Sequence, residues 1–296
     1  LAWLLLDIDL RIKTTIYMHL IHPQEITAFR AKGDTVFIDA RGGADAFARF
    51  ADGHLEDALF VDLETDLSEK TGNAASGGRH PLPHPATFGK LLGSLGIMPS
   101  TTVVAYDDKK GANAAARFWW MMKAVGHEKV FVLDGGLDAV VTAGIPLSID
   151  ILTLLTVYPA YPVVDWELGL ANLDRVASAA DDSDYVVIDV REDYRFRGES
   201  EPIDLIAGHI PGAINVPYTG NLGPDGKFLT AAEISDKYRK VIGARAPENV
   251  IVHCGSGVTA CHTLLALAEA GISGPALYVG SWSEWSRNEL PIATGN

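Results

Sequence analysis

TVFIDAR at residues 35–41 returns as YVVIDVR at 185–191, and this echo decides the architecture. Working outward, Gly53-His54 precedes LEDALFVDL as Gly208-His209 precedes IPGAINVPY. TVVAYD at 102–107 answers NVIVHC at 249–254, and FVLDGGLDAVVTAGIPL at 131–147 answers LYVGSWSEWSRNELPI at 277–292. In this last pair of segments Gly135 and Gly280, like Pro146 and Pro291, stand 145 residues apart. Order and spacing agree, so one ancestral unit has been duplicated. A length of 296 residues suits two domains, each able to bury its own core.

Each copy reads as α/β. The apolar runs Val36–Ile38, Val103–Ala105 and Val130–Leu133, then Val186–Ile188, Val250–Val252 and Leu277–Val279, suit buried strands of a mainly parallel sheet. Helical patterns at Ala112–Val125 and Thr259–Ala270 lie between them. Strands alternating with helices imply a sheet with helices on both faces in each copy. The expected domains are 18–150 and 163–296, joined near 147–164, where Pro159 and Pro162 interrupt the periodicity. Residues 1–17 begin apolar, but Asp7, Asp9, Arg11 and Lys13 break the run, leaving too little for a transmembrane helix. Met18 is a candidate natural start, and the extension before it has no assigned role.

Lys and Arg total 24 against 38 Asp and Glu, a net charge of −14. That balance argues against nucleic acid or an anionic membrane as partner. Any small anionic substrate must be held by local donors. The 2 cysteines, Cys254 and Cys261, are too few for a disulfide-built secreted scaffold. A reducing, cytoplasmic location is expected.

The segment NVIVHCGSGVTACHTLLALAEAG, residues 249–271, carries the chemistry. An apolar strand ends at His253, and Cys254 follows where the carboxyl end of a strand opens to a ligand crevice. Gly255 and Gly257 allow a tight loop, and a helix begins near Val258 or Thr259. Loop N–H groups and a helix N-terminus in this layout stabilise an anionic sulfur or a bound anion without a basic side chain. Cys261, inside the helix among Val258, Leu264 and Leu265, reads as a packed residue; a Cys254–Cys261 disulfide stays open. Zinc is disfavoured, because Cys254, Cys261, His253 and His262 contain no paired C-x-x-C. A cysteine phosphatase needs an arginine six positions after its nucleophile to grip phosphate, and that position is Ala260.

CGSGVTACH at 254–262 resembles the active-site loop of mercaptopyruvate sulfurtransferases in the rhodanese family. IDVR (188–191), RFRG (195–198), GHIPGAINVP (208–217) and GSWSEW (280–285) agree with it, as do IDAR (38–41), RFWWM (117–121) and LDGGL (133–137). The resemblance implies two tandem rhodanese-like domains, catalytic in the second copy and inactive in the first. Aligning Gly111 with Gly257 puts Asp108 in the place of Cys254. The implied chemistry is a persulfide on Cys254, loaded by a small anionic sulfur donor and unloaded by cyanide, a thiol or a thioredoxin-like protein, with no cofactor or metal.

By the same resemblance Ser256 works with His80, in GRHPLP, and Glu64, in FVDLE. Arg195 holds the donor's anionic end, and Gly255, Gly257, Val258 and Thr259 complete the substrate loop. The family pattern places a second arginine where this chain reads Ile203, in EPID, which favours thiosulfate. The uncharged Gly255 and Ser256 favour 3-mercaptopyruvate, and the loop, being nearest the sulfur, carries more weight. The alternatives are a thiosulfate:cyanide sulfurtransferase and a non-turnover sulfur-relay protein. Asp189, His209, Trp282 and Trp285 are read as organisers of the fold, Trp119 and Trp120 as one face of a first-domain helix, and the protein as a monomer.

Overall fold

The computed structural model describes residues 18–154, 156 and 158–295; the extension at 1–17 lies outside the described residues. The first copy has strands Leu20–Ile21 (β1), Thr35–Arg41 (β2), His54–Leu55 (β3), Ala58–Asp62 (β4), Thr102–Tyr106 (β5), Val130–Leu133 (β6) and Leu147–Ser148 (β7). The second has Leu170–Ala171 (β8), Val186–Asp189 (β9), Ile214–Asn215 (β10), Val250–His253 (β11) and Ala276–Tyr278 (β12). Each copy builds a five-stranded sheet, in the orders β1-β6-β5-β2-β4 and β10-β9-β11-β12-β8. Every pairing within them is parallel, and β3 and β7 form a separate antiparallel ribbon. Read from β4 and from β10 the orders coincide, so the duplication seen in the sequence is a duplication of topology. Central strands buried on both faces explain the unbroken apolar runs.

Helices Ile26–Ala31 (α1), Ala46–Asp52 (α2), Pro85–Ser94 (α3), Ala114–Ala124 (α4) and Gly136–Thr142 (α5) accompany the first sheet. Leu173–Ala180 (α6), Asp193–Phe196 (α7), Ala231–Ile242 (α8), Thr259–Glu269 (α9) and Ser281–Trp285 (α10) accompany the second. α4 starts two residues later than its pattern suggests. Nearly all of its residues are buried, including Trp119 and Trp120, so it presents no solvent face. It packs against its counterpart α9, and one continuous apolar cluster runs from Phe118 and Met121 to Leu264 and Leu265. A helix apolar all round must be buried all round, and here the second domain covers what the first sheet does not.

The repeated IDxR and Gly-His motifs have a common purpose. In the second copy Arg191 Nη2 donates to Asp189 at 2.6 Å and to the Gly208 carbonyl at 2.7 Å. In the first, Arg41 Nη2 donates to Asp39 at 2.7 Å and to the Gly53 carbonyl at 2.8 Å. The next histidine then stacks on a phenylalanine, His209 on Phe196 at 3.7 Å and His54 on Phe50 at 4.0 Å between ring centroids. These buried pairs fasten a loop to the carboxyl edge of each sheet, in agreement with their reading as organisers. Trp282 belongs to the same device: its ring lies under Arg191 and its Nε1 donates to the Ile206 carbonyl at 2.8 Å.

The strand registers correct one expectation. Asp39 pairs with Tyr106 across β2 and β5, as Asp189 pairs with His253 across β9 and β11. Leu137 N–H donates to the Asp107 carbonyl as Trp282 N–H donates to that of Cys254. Asp107, and not Asp108, therefore stands in the place of Cys254. The glycine alignment misplaced it because the first loop, from Asp107 to the start of α4, is two residues longer than the second. Asp107 accepts from the amides of Lys109, Gly111, Asn113 and Ala115 at 2.7 to 3.1 Å. A carboxylate thus fills its own loop. Burial pushes the Asp107 carboxyl up to about 6 despite those four donors. Replacing Asp107 with Ala orphans them inside the protein, and each orphaned buried amide costs about 1–3 kcal/mol. Asp107→Ala should therefore lower the unfolding free energy by at least ~3 kcal/mol in denaturant titrations; an unchanged midpoint would refute this account of the first loop.

Candidate active site

The loop after β11 is held from one side by α10. Trp282 N–H donates to the Cys254 carbonyl at 3.0 Å, Ser283 N–H to the Gly255 carbonyl at 2.8 Å, and Cys254 N–H to Ser281 Oγ at 3.2 Å. Ser281 sits at φ +54°, matching Gly136 at +58° in the first copy. Gly257 has φ +76°, and a Cβ there would lie 2.6 Å from the Val279 carbonyl, so only glycine fits. With the carbonyls tied down, the amides of Gly255, Ser256, Gly257, Val258 and Thr259 donate to no protein acceptor among the described residues. This is the reverse of the first copy, where Asp107 takes the loop amides. Cys254 itself is buried, at the N-terminal end of α9.

The other wall comes from the first domain. The GGRH segment, residues 77–80, lies across α10: Gly77 N–H donates to Glu284 at 2.6 Å and Arg79 N–H to Ser283 Oγ at 3.0 Å. Gly78 has φ +79°, and a Cβ there would come within 2.4 Å of the Gly280 carbonyl. This docking brings His80 Nδ1 to 2.7 Å from Ser256 Oγ, while His80 Nε2 reaches Glu64 Oε2 at 3.2 Å. Glu64 stands in a turn where its amide donates to Asp62 Oδ1 at 2.7 Å. The three residues named from the sequence for a relay are in hydrogen-bond contact. The hydrogen bond from His80 pulls the Glu64 carboxyl below its usual range. An ionised Glu64 keeps the proton on Nε2, so the Ser256 hydroxyl donates to Nδ1 when the ring is neutral.

The Rhodanese-like domain matches this chain twice, over residues 22–143 and 172–288. The chain belongs to the rhodanese family. It is a tandem-domain sulfurtransferase of that family, by the two matched copies and by relatives so named over most of their length. A Pseudomonas aeruginosa protein named for 3-mercaptopyruvate sulfurtransferase activity is 37% identical, covering 94% of this chain and 98% of its own. A Mycobacterium tuberculosis protein named for thiosulfate sulfurtransferase activity is 39% identical, covering 93% and 97%. The solved Escherichia coli mercaptopyruvate enzyme superposes with a TM-score of 0.75 at 30% identity, covering 90% of this chain and 100% of that one.

In this rhodanese Arg195 is no surface ion pair. Its side chain is 7% exposed, donating to Glu201 at 2.8 Å, Glu192 at 3.2 Å and Asp204 at 3.4 Å. Ile203 is exposed; its side chain offers no donor, and its N–H donates to Glu201 Oε1 at 3.0 Å. Cys261 is fully buried; burial pushes its thiol up to about 12, and it donates to the Gly257 carbonyl at 3.3 Å. That agrees with its reading as a packed residue. A cavity of about 970 Å³ between the domains, lined by Trp119, Lys123, Glu269 and Ile272, shares no residue with the Cys254 site. Among the described residues no group of three or more His, Cys, Asp or Glu is placed to hold a metal ion.

Three contributors escaped the sequence reading. Arg117, inside α4, donates to the Gly257 carbonyl at 3.1 Å and to the His80 carbonyl at 2.9 Å. Asp204 and Arg79 pair across the domains at 3.0 Å. Arg117 was hidden in an otherwise apolar helix, although a lone arginine in such a run is itself a signal.

Because the Glu64 carboxyl titrates below its unfolded value, its stabilising contribution is present above that value and is lost as pH falls through the folded one. The melting-temperature gap between the wild type and Glu64→Gln should thus be widest near neutral pH and close in acid. A gap that persists below the folded titration point would show that Glu64 acts otherwise than through its charge.

Proposed function

We propose that this protein is a 3-mercaptopyruvate sulfurtransferase that carries sulfur as a persulfide on Cys254. The observation that carries this reading is the Ser256–His80–Glu64 chain, closed at 2.7 Å and 3.2 Å beside the cysteine loop. The Cys254 thiolate attacks the donor sulfur, and the carbon–sulfur bond breaks with its electron pair going to pyruvate enolate. The enolate needs a proton. Cationic His80, stabilised by Glu64, supplies it through the Ser256 hydroxyl. Sulfite leaving thiosulfate needs no such help, so the relay has a purpose only with the keto-acid donor.

The product Cys254–S–SH carries its outer sulfur among the unclaimed amides from Gly255 to Thr259, which suit a partial or full negative charge. Arg195, with Glu201 and Asp204, walls the donor pocket. A thiolate RS⁻ then attacks the outer sulfur to give RS–SH and restore the Cys254 thiolate; cyanide gives thiocyanate in the same way. A thioredoxin-like protein is the expected protein acceptor. No cofactor enters any step. One chain supplies both walls, which supports a monomer, and the free thiol at the centre of the chemistry suits a reducing cytoplasm.

Thiosulfate as the main donor is the second reading, favoured by Ile203 and by the Mycobacterium tuberculosis relative's name. Steady-state assays with cyanide as acceptor separate the two. The expected result is a higher kcat/KM for 3-mercaptopyruvate than for thiosulfate, and none with either in Cys254→Ser. Ser256→Ala and His80→Gln should each lower the mercaptopyruvate rate about 10²–10⁴-fold and leave the thiosulfate rate within several-fold. A thiosulfate preference with no effect of the relay variants overturns the donor assignment, and turnover surviving in Cys254→Ser overturns the persulfide.

A further inference from the structure

The segment EPIDLI, residues 201–206, shows solvent three aliphatic side chains in close succession. Ile203, Leu205 and Ile206 are 54%, 65% and 43% exposed. Apolar side chains scattered singly over a surface need no explanation, but a group of them beside a reactive centre does. Local bonds hold this group outward. The amides of Ile203 and Asp204 donate to Glu201 Oε1 at 3.0 and 3.1 Å, and the Ile206 carbonyl accepts from Trp282 Nε1 at 2.8 Å. The segment is therefore pinned at both ends with its aliphatic side chains in water, an arrangement that the hydrophobic effect disfavours in the protein alone.

The two acids of the segment turn the other way. Asp204 is fully buried and accepts from Arg79 Nε, Arg287 Nη1 and Arg195 Nη2 at 3.0, 3.3 and 3.4 Å. Glu201, also buried, accepts from Arg195 Nη2 at 2.8 Å and Arg191 Nη1 at 3.2 Å. Both carboxylates are thus matched beneath the segment, and the surface it presents is uncharged in a chain of net charge −14. Such a surface complements a neutral apolar one and offers nothing to a small anion. It lies beside the cysteine loop, since a Cβ at Gly255 would come within 3.5 Å of Asp204 Oδ2 and 3.1 Å of Arg79 Nη2. Cys254 itself is 2% exposed, so an acceptor thiol has to be brought in to it.

We propose that Ile203, Leu205 and Ile206 form a docking collar for a protein acceptor that carries its thiol in a neutral, apolar surface. This rests on the reading of Cys254 as the sulfur carrier and names the partner of that same site. A small acceptor reaches the persulfide by diffusion and gains nothing from the collar. A protein thiol gains, because docking removes the three aliphatic side chains from water and holds the thiolate in line with the outer sulfur. The thiolate takes that sulfur as the S–S bond breaks, and the electron pair returns to Cys254. Where the partner is a dithiol, its second thiolate attacks the inner sulfur of RS–SH, displaces HS⁻ and leaves a disulfide. The two electrons come from the partner. The departure at Ile203 gains a physical reason, since an arginine there would put a charge in the collar.

The test loads Cys254 from 3-mercaptopyruvate or thiosulfate, whichever turns over faster, and compares cyanide, dithiothreitol and reduced thioredoxin as acceptors. The double variant Ile203→Ser/Leu205→Ser should lower kcat/KM for thioredoxin about 10-fold or more, through KM. Cyanide and dithiothreitol should stay within about twofold of the wild type. Ile203→Val/Leu205→Met, which keeps the surface apolar, should restore the thioredoxin value. A neutral collar also makes KM for thioredoxin insensitive to salt; a steep rise with salt would assign the docking to charge and overturn the collar. If all three acceptors weaken together in the serine variant, the segment merely supports the cysteine loop and the proposal falls. It falls equally if thioredoxin turnover is unchanged there, or if the wild type serves the small acceptors and not thioredoxin. A wild-type dimer in sedimentation velocity that the serine variant splits would make the collar a contact between copies and overturn it as well. Failure of both donors to load Cys254 is a separate result, and overturns the carrier reading itself.

Discussion

A single buried cation joins the two halves of this site. Arg117 lies wholly inside the protein on α4, and among the described residues no carboxylate pairs with it; its Nε has no hydrogen-bond partner. Burial lowers its affinity for a proton, yet an arginine stays charged. The charge is met only by carbonyl dipoles, from Gly257 in the cysteine loop and His80 in the relay, and by the neighbourhood of the two cysteine sulfurs. Placing an unpaired guanidinium in an apolar interface is costly. The arrangement is tolerated because α4 is buried between its own sheet and α9, and the side chain reaches the carbonyl of the cysteine loop at Gly257. The same helix that fuses the domains thereby sets the distance between Ser256 and His80, and adds positive potential where an anionic sulfur is expected.

The two copies show one scaffold put to opposite uses. In both a central strand is followed at once by an aspartate or a cysteine, its carbonyl is fastened to the first turn of the last helix, and a set of loop amides is left to satisfy. In the first copy Asp107 satisfies them internally, while Arg41 and Arg49 are drawn onto Asp108, at 3.8 and 2.7 Å. Nothing is left over for a ligand. In the second copy a shorter loop and a cysteine leave the amides unclaimed. The first site is closed by its own carboxylates, and its surroundings face outward: the segment from Gly77 to His80, with Glu64, lies against the other domain's cysteine loop and α10. An overall charge of −14 is no obstacle to an anionic donor, because the field at the site is set within a few ångströms by Arg79, Arg195, Arg117 and the amides.

Much of this was legible in the sequence. The apolar runs marked the central strands, since strands buried on both faces leave no alternation to misread. The two-residue edge strands β1, β8 and β10 carried no run long enough to register. Cys254 was evident because strand, nucleophile, glycines and helix are contiguous, so local rules suffice. His80 and Glu64 came from resemblance and not from spacing; what joins them to Ser256 is 176 residues of chain between His80 and Ser256. Arg79 was passed over for a related reason. In GGRHP it looks like a loop cation, and only the docking of Gly78 against the Gly280 carbonyl turns it toward Gly255. The first-copy alignment failed by one position because a glycine was matched in place of the strand segments TVVAYD and NVIVHC, which already set Asp107 opposite Cys254.

Such a division of labour gives the copy without a cysteine a place at the site of the other. A cysteine loop at a helix N-terminus can stabilise an anionic sulfur alone, but it has no proton source for a leaving carbanion. Its own guanidinium, Arg195, is almost fully occupied by acids that hold the loop after α7 in place. Both missing functions need side chains that approach from outside the second sheet, and the GGRH segment brings them in against α10. A domain docked through a helix buried on nearly every face provides a rigid base for them, since α4 packs against α9. Gly78 and Arg117 shape the cleft from the first copy, one by its close backbone approach to Gly280 and the other by a buried charge held on the Gly257 and His80 carbonyls.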